Sequence, residues 1–189
     1  MSQIPLYGLV LSGGQSLRMG RDKGSLVYNK KDQRARSSEL LSEVCEKVFI
    51  SIRPGQENLI SPGQLFLVDS VEGGGPGVGM LTASAAYPGV AWFVFACDFP
   101  FADATEFTSL ARSRNPESKA TAMVSRDDQI EPLFAIWEPE ALAALREDFS
   151  RNQFSPKKTL STLRVKKIVP LHEKSILNVN SETDLPSRG

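Results

Sequence analysis

The sequence has little cysteine, one histidine, no surplus charge of either sign and no long apolar run, and each shortage removes a class of function. Cys45 and Cys97 lie far apart without a CxxC spacing, so the chain offers neither a disulfide framework nor a zinc ligand set. A reducing cytoplasm fits that usage. His172 stands alone between Leu171 and Glu173 in a loop-like stretch, where a surface role is expected. With it goes any Ser-His-Asp or Cys-His centre. Lys and Arg number 22 and so do Asp and Glu, which leaves no broad field to draw nucleic acid or an anionic membrane surface. Any anion site must be local, and neither a nucleic-acid nor a membrane partner is expected. No stretch approaches the roughly 18 apolar residues that span a bilayer. The opening MSQIPLYGLVLSGG also lacks the basic start and unbroken apolar run of a secretory signal.

What is present is ordinary for a globular chain: 189 residues, 41% hydrophobic and 23% charged, enough for one domain over 1–189 with a sizeable core. Short apolar runs at 7–11, 48–52, 65–68 and 92–96 read as strands, the first closed by Gly13-Gly14 and suited to burial on both faces. Helical spacing follows or precedes them at 37–47 (Leu40, Leu41, Val44, Lys47), 79–86 and about 103–112. Such alternation predicts an α/β fold with a mostly parallel central sheet, whose ligands bind beyond the carboxyl ends of the strands. Further on, 121–124, 133–137 and 167–169 read as strands, with helices at 139–149 and 159–163. Pro132 suggests an edge strand or a strand start. The Pro/Gly-rich stretches 53–63 and 72–79 read as loops, and the polar tail from Ser181 as a frayed end.

Directly after the first strand comes Leu11-Ser12-Gly13-Gly14-Gln15-Ser16-Leu17-Arg18-Met19-Gly20-Arg21-Asp22-Lys23. Paired glycines let consecutive N–H groups converge on phosphate oxygens, and Arg18, Arg21 and Lys23 supply charge. The spacing is neither a Walker A loop nor GxGxxG. By composition alone it also reads as a plain turn with solvated cations. A second motif, Ala96-Cys97-Asp98-Phe99-Pro100, ends a strand on a carboxylate, where a hard cation such as Mg²⁺ finds a ligand; a cap or loop role is the alternative. Asp69 ends the strand at 65–68 in the same way, followed by Gly73-Gly74-Gly75-Pro76-Gly77-Val78-Gly79, where Gly77 and Gly79 would let the backbone approach a ligand at a helix N-terminus; a mobile surface loop is the alternative. Near the C-terminus Asn178 and Asn180 would share one side of an extended stretch; a turn or cap before a short helix is the alternative.

LSGGQSLRMGRDK resembles the LAGGxSxRMGxDK signature of nucleotidyltransferases with a GT-A-like fold, and its Asp-Lys ending is similar to the molybdenum cofactor guanylyltransferase (MobA) family. The likeness runs over nearly the whole chain. It implies a three-layer Rossmann-like (GT-A-like) domain that transfers GMP from GTP to molybdopterin, or molybdenum cofactor, and releases pyrophosphate with Mg²⁺ bound. On this resemblance Arg18, Lys23 and Asp98 are catalytic and Asp98 holds the metal. Leu11, Ser12, Gly13, Gly14, Lys23, Ser51, Asp69 and Asp98 bind the nucleotide. Gly77, Gly79, Asn178 and Asn180 line the acceptor side, with Glu131 of the Glu131-Pro132 segment as a further cleft candidate. GTP, a molybdopterin-type acceptor and transient contact with other cofactor-biosynthesis proteins are the implied partners.

The chain departs from the family pattern in three places. Residues 29–33 lack the usual GxP, Ser12 replaces an Ala, and Ser51 and Arg53 occupy the region that normally carries an Asn. A hydroxyl offers one proton where an amide offers two and an acceptor besides, so base choice is the open point. Competing readings are a CTP-using or sugar-phosphate nucleotidyltransferase, and a non-catalytic nucleotide-binding module. Gly14 and Asp22-Lys23 favour the guanylyl reading, since the cytidylyl pattern is LAAG without that pair.

Overall fold

In the computed structural model, which describes residues 4–12, 27–28, 31–70 and 75–177, strand and helix alternate. The chain forms β1 (Leu6–Leu11), an antiparallel ribbon of β2 (Val27–Tyr28) and β3 (Lys31–Asp32), α1 (Gln33–Ser42), β4 (Lys47–Ile52) and β5 (Leu65–Val68). It continues through α2 (Pro76–Ala86), β6 (Ala91–Ala96), α3 (Ala104–Arg112), β7 (Ala120–Val124), β8 (Ile130–Trp137), α4 (Pro139–Ser150), α5 (Pro156–Ser161) and β9 (Val165–Ile168). Seven strands make one sheet in the order β5-β4-β1-β6-β8-β7-β9. All neighbours are parallel except where β8 runs against both β6 and β7. This is the mostly parallel, three-layer Rossmann-like α/β fold.

Side-chain alternation along the strands builds two cores, one on each face of the sheet. Leu9, Phe49, Trp92, Val94, Ala135 and Trp137 pack against Met80 and Ala83 of α2, Leu142 and Leu145 of α4, and Leu160 of α5. Val10, Ile50, Phe93, Phe95, Phe134 and Ile136 point the other way, onto Leu41 of α1 and Phe107 and Leu110 of α3. Phe95 sits at the middle of the second core, its ring centroid 4.7 Å from Phe107 and 4.9 Å from Phe134. Each such ring, fully buried, stabilises the fold by about 1.5–3 kcal/mol. β6, buried at every residue, is the strand both cores share most fully.

Several boundaries differ from the sequence expectation. The first helix stops at Ser42, because Val44 N and Cys45 N fold back onto Leu41 O and Lys47 already begins β4. α2 starts at Pro76 instead of Gly79: Gly75 takes the positive φ of +66° that turns the chain, and Pro at the first helical position is pre-set for it. α5 begins at Pro156, with Ser155 Oγ accepting from Lys158 N at 3.3 Å, and β9 ends at Ile168. Pro132 lies neither on an edge strand nor at a strand's first residue, since β8 sits between β6 and β7. Its missing N–H is tolerated because pairing with β6 stops at Phe134 and the β7 register is irregular between Ala122 and Val124. The tail from Ser181 lies outside the described residues.

Candidate active site at the carboxyl edge of the sheet

The parallel register brings four strand ends to one edge. Leu11 pairs with Ser51 on one side and Ala96 on the other, and Ile52 pairs with Val68. The residues that follow therefore gather there: Ser12 after β1, Arg53 after β4, Asp69 after β5, and Cys97 and Asp98 after β6. β1 and β6 are adjacent, yet the chain leaves β1 toward β4 and β5 before returning to β6. That reversal of strand order opens the crevice where doubly wound sheets bind ligands.

Hydrogen bonds tie these ends together. Ser12 Oγ donates to Ser51 O at 2.9 Å, and Ser51 Oγ donates to Asp69 Oδ1 at 2.6 Å. Asp69 N donates to Ile52 O at 2.8 Å, and Cys97 N to Leu11 O at 3.3 Å. Ser12 and Ser51 are buried, and Asp69 is half-buried. Burial pushes the Asp69 carboxyl above its ordinary value, opposed by the Ser51 hydrogen bond and the Arg53 charge. Asp98 stands half-buried in the turn after β6, ahead of Phe99 and Pro100, both buried. Phe99 anchors that turn in the aromatic core, 5.8 Å from the Phe95 ring.

Gly77 and Gly79 open α2 beside this edge, but the close approach they permit is to protein. A Cβ on Gly77 would stand 2.3 Å from Phe149 Cζ of α4, and one on Gly79 would stand 2.3 Å from Ser51 Oγ. Each of these glycines therefore has a packing requirement. Glu131 opens β8, and because β8 runs against β6 its start reaches the same edge as Asp98. Burial raises the Glu131 pKa, opposed by the charge of Lys157.

Gly13, Gly14, Arg18, Arg21, Lys23, Asn178 and Asn180 lie outside the described residues. His172 is exposed, as expected, and Cys97 is buried in the core. Burial pushes the Cys45 thiol up to about 12. One residue the sequence reading missed is Glu106 of α3, fully buried, whose carboxylate accepts from Leu171 N at 3.1 Å and His172 N at 2.8 Å. It fixes the backbone just ahead of the Asn178 segment. An acid in a helix's first turn reads as a response to the helix dipole, so nothing in the sequence singled it out.

Residues 8–163 match the family described as MobA-like NTP transferase domain. The chain belongs to this family. As a MobA-like transferase it is an enzyme of the nucleotidyltransferase class. It is 36% identical over 191 residues to the molybdenum cofactor biosynthesis bifunctional protein of Synechocystis, a match that covers 97% of this chain and 54% of that protein. The chain thus spans about half the length of that relative. It is 29% identical over 185 residues to a probable molybdenum cofactor guanylyltransferase of Bacillus licheniformis, covering 94% of this chain and 93% of that one. Among solved structures, molybdopterin-guanine dinucleotide biosynthesis protein A of Archaeoglobus fulgidus superposes with a TM-score of 0.77 at 22% identity, over 94% of both chains. The 4-diphosphocytidyl-2C-methyl-D-erythritolsynthase of Anaerococcus prevotii gives 0.69 at 12% identity, over 96% of this chain and 92% of that one. At those identities the structures speak for the MobA-like fold alone.

Proposed function

We propose that this nucleotidyltransferase moves GMP from GTP to a molybdopterin-type acceptor, giving the guanine dinucleotide cofactor and pyrophosphate. The observation that carries the reading is the gathering of Ser12, Ser51, Asp69 and Asp98 along one carboxyl edge of the sheet, beside the crevice between β1 and β6. A phosphate oxygen of the acceptor attacks the α-phosphorus in line, the bond from that phosphorus to the bridging oxygen breaks, and the electron pair leaves with pyrophosphate. Relatives named as molybdenum cofactor guanylyltransferases support the choice of acceptor and base.

Among the described residues no group of three or more His, Cys, Asp or Glu could hold a metal unaided. The strand-end carboxylate of Asp98 fits Mg²⁺, which takes one or two carboxylates and completes its shell with substrate phosphates and water. Asp98 would hold it. When bound, the cation supplies charge neutralisation along the triphosphate; a structural neighbour from Mycobacterium tuberculosis is described in complex with manganese. In this reading Arg18 and Lys23 orient the triphosphate and offset charge on the leaving pyrophosphate, while Gly13 and Gly14 present amides to it. Gly77, Gly79, Asn178 and Asn180 border the acceptor, and other cofactor-biosynthesis proteins meet the enzyme transiently. No described helix is long and apolar enough to cross a membrane; a cytoplasmic setting and one domain over 1–189 remain part of the proposal.

The test uses the purified full chain. With Mg²⁺ present, GTP at about a hundred times its Kd should stabilise by ~2.7 kcal/mol, a rise of about 5–10 °C in Tm, with CTP and ATP giving less. Asp98→Ala should keep its unliganded melting curve and lose pyrophosphate release with molybdopterin. Normal turnover in the folded variant would sink the metal assignment. A shift with CTP and none with GTP would replace the guanylyl reading, and GTP binding without turnover would leave a binding module.

A further inference from the structure

Resting on the nucleotide reading above, we infer that Ser51 is a positioning residue that acts on the nucleotide through Asp69 rather than by touching it. Ser51 sits near the end of β4, level with Leu11 of β1 and Leu67 of β5, and is 2% exposed. Its hydroxyl has one proton, and that proton goes to Asp69 Oδ1 at 2.6 Å. From the other side α2 closes on the same oxygen: a Cβ added to Gly79 would stand 2.3 Å from Ser51 Oγ and 3.1 Å from Ser51 Cβ. Enclosed between strand and helix with its proton committed, the hydroxyl has no donor left for a ligand.

Asp69 is differently placed. Its carboxyl is half-buried at the open edge of the sheet, held through Oδ1, and among the described residues no donor reaches Oδ2. Among the described residues the charge that faces it is Arg53, from the end of β4. α2 carries no titratable side chain, and the end of β1 supplies only Leu11 and Ser12. A carboxylate fixed at one oxygen offers the other to N–H or O–H donors in a set direction. A nucleoside presents such donors on the base edge and on the ribose. Ser51 thereby fixes the angle at which Asp69 receives the nucleoside, and Gly79 fixes Ser51.

The measurement is Kd by calorimetry, with Mg²⁺, for the full chain and for Ser51→Ala, Asp69→Asn and the double variant. Loss of a hydrogen bond to a charged group should weaken GTP binding by Ser51→Ala about tenfold. That factor should vanish in the Asp69→Asn background. The acidic limb of binding should move to higher pH in Ser51→Ala, because the hydrogen bond favours the charged form of Asp69. ITP, lacking the 2-amino group, and dGTP, lacking the 2′-hydroxyl, test two of the donors: loss of the Ser51→Ala penalty with either assigns the contact to that group, and a penalty kept with both assigns it to N1–H or the 3′-hydroxyl. An unchanged Kd in Ser51→Ala, or a loss that adds in full to that of Asp69→Asn, overturns the positioning role and leaves the nucleotide reading standing. A wild-type chain that binds no triphosphate overturns both.

Discussion

A methyl group at position 79 and one at position 77 meet different neighbours, and their energies should separate accordingly. At Gly79 the obstacles are Ser51 Oγ at 2.3 Å, Leu11 Cδ2 at 3.0 Å and Ser51 Cβ at 3.1 Å, all tied to the sheet. Overpacking there costs about 1–3 kcal/mol, while Ala in place of Gly returns about 1 kcal/mol of helix propensity. The net cost is up to about 2 kcal/mol, so Gly79→Ala should lower Tm by up to about 8 °C, at about 2–4 °C per kcal/mol. At Gly77 the obstacle is the far end of the half-buried Phe149 ring, which can swing aside, so Gly77→Ala should stay within about 1 kcal/mol of neutral. Thermal melts of the two variants rank them directly, and a Gly77→Ala loss equal to that of Gly79→Ala would refute the distinction. Both glycines stand out in the sequence as a run after a strand. Their neighbours do not, because Phe149 is seventy-odd positions away and comes near only once α4 packs beside α2.

Between elements, the buried pair Arg114 and Glu138 joins the end of α3 to the start of α4. The guanidinium meets both carboxylate oxygens at 2.8 and 2.9 Å, with side chains 8% and 5% exposed, and also donates to Ile4 O at 2.9 Å. Removing one partner leaves the other's charge buried, so Arg114→Ala should cost about 3–5 kcal/mol. Replacing both, as Arg114→Met with Glu138→Leu, should recover most of that loss in denaturant melts; no recovery would mean the hydrogen bond to Ile4 carries the effect. This pair was invisible in the sequence, since two charges 24 positions apart carry no periodic signal. The strands were legible because β-branched and aromatic runs bounded by Gly and Pro have few alternatives. Helix starts were misplaced where the cap decides: Ser155-Pro156 and Gly75-Pro76 set α5 and α2 earlier than apolar spacing suggested. Asp98 and Asp69 were legible as strand-end carboxylates. The contact of Asp69 with Ser51 was not, because it depends on β4 and β5 lying side by side.

Across the whole molecule, Trp92 and Trp137 face each other in register on β6 and β8, both at most 1% exposed, and report on one core. Tryptophan fluorescence and far-UV circular dichroism should thus follow a single coincident transition in urea. Separated midpoints would show that 1–189 is not one cooperative unit. The strand order has a further consequence for the chain as it is made. β6 pairs with β1 across an intervening excursion through β4 and β5, and only that pairing carries Asp98 to the crevice. A nascent chain that has emerged only as far as Asp69 holds both Ser51 and its carboxylate partner, yet it lacks β6 and Asp98. The crevice is therefore complete only after residues 91–98 have left the ribosome and joined the first strand.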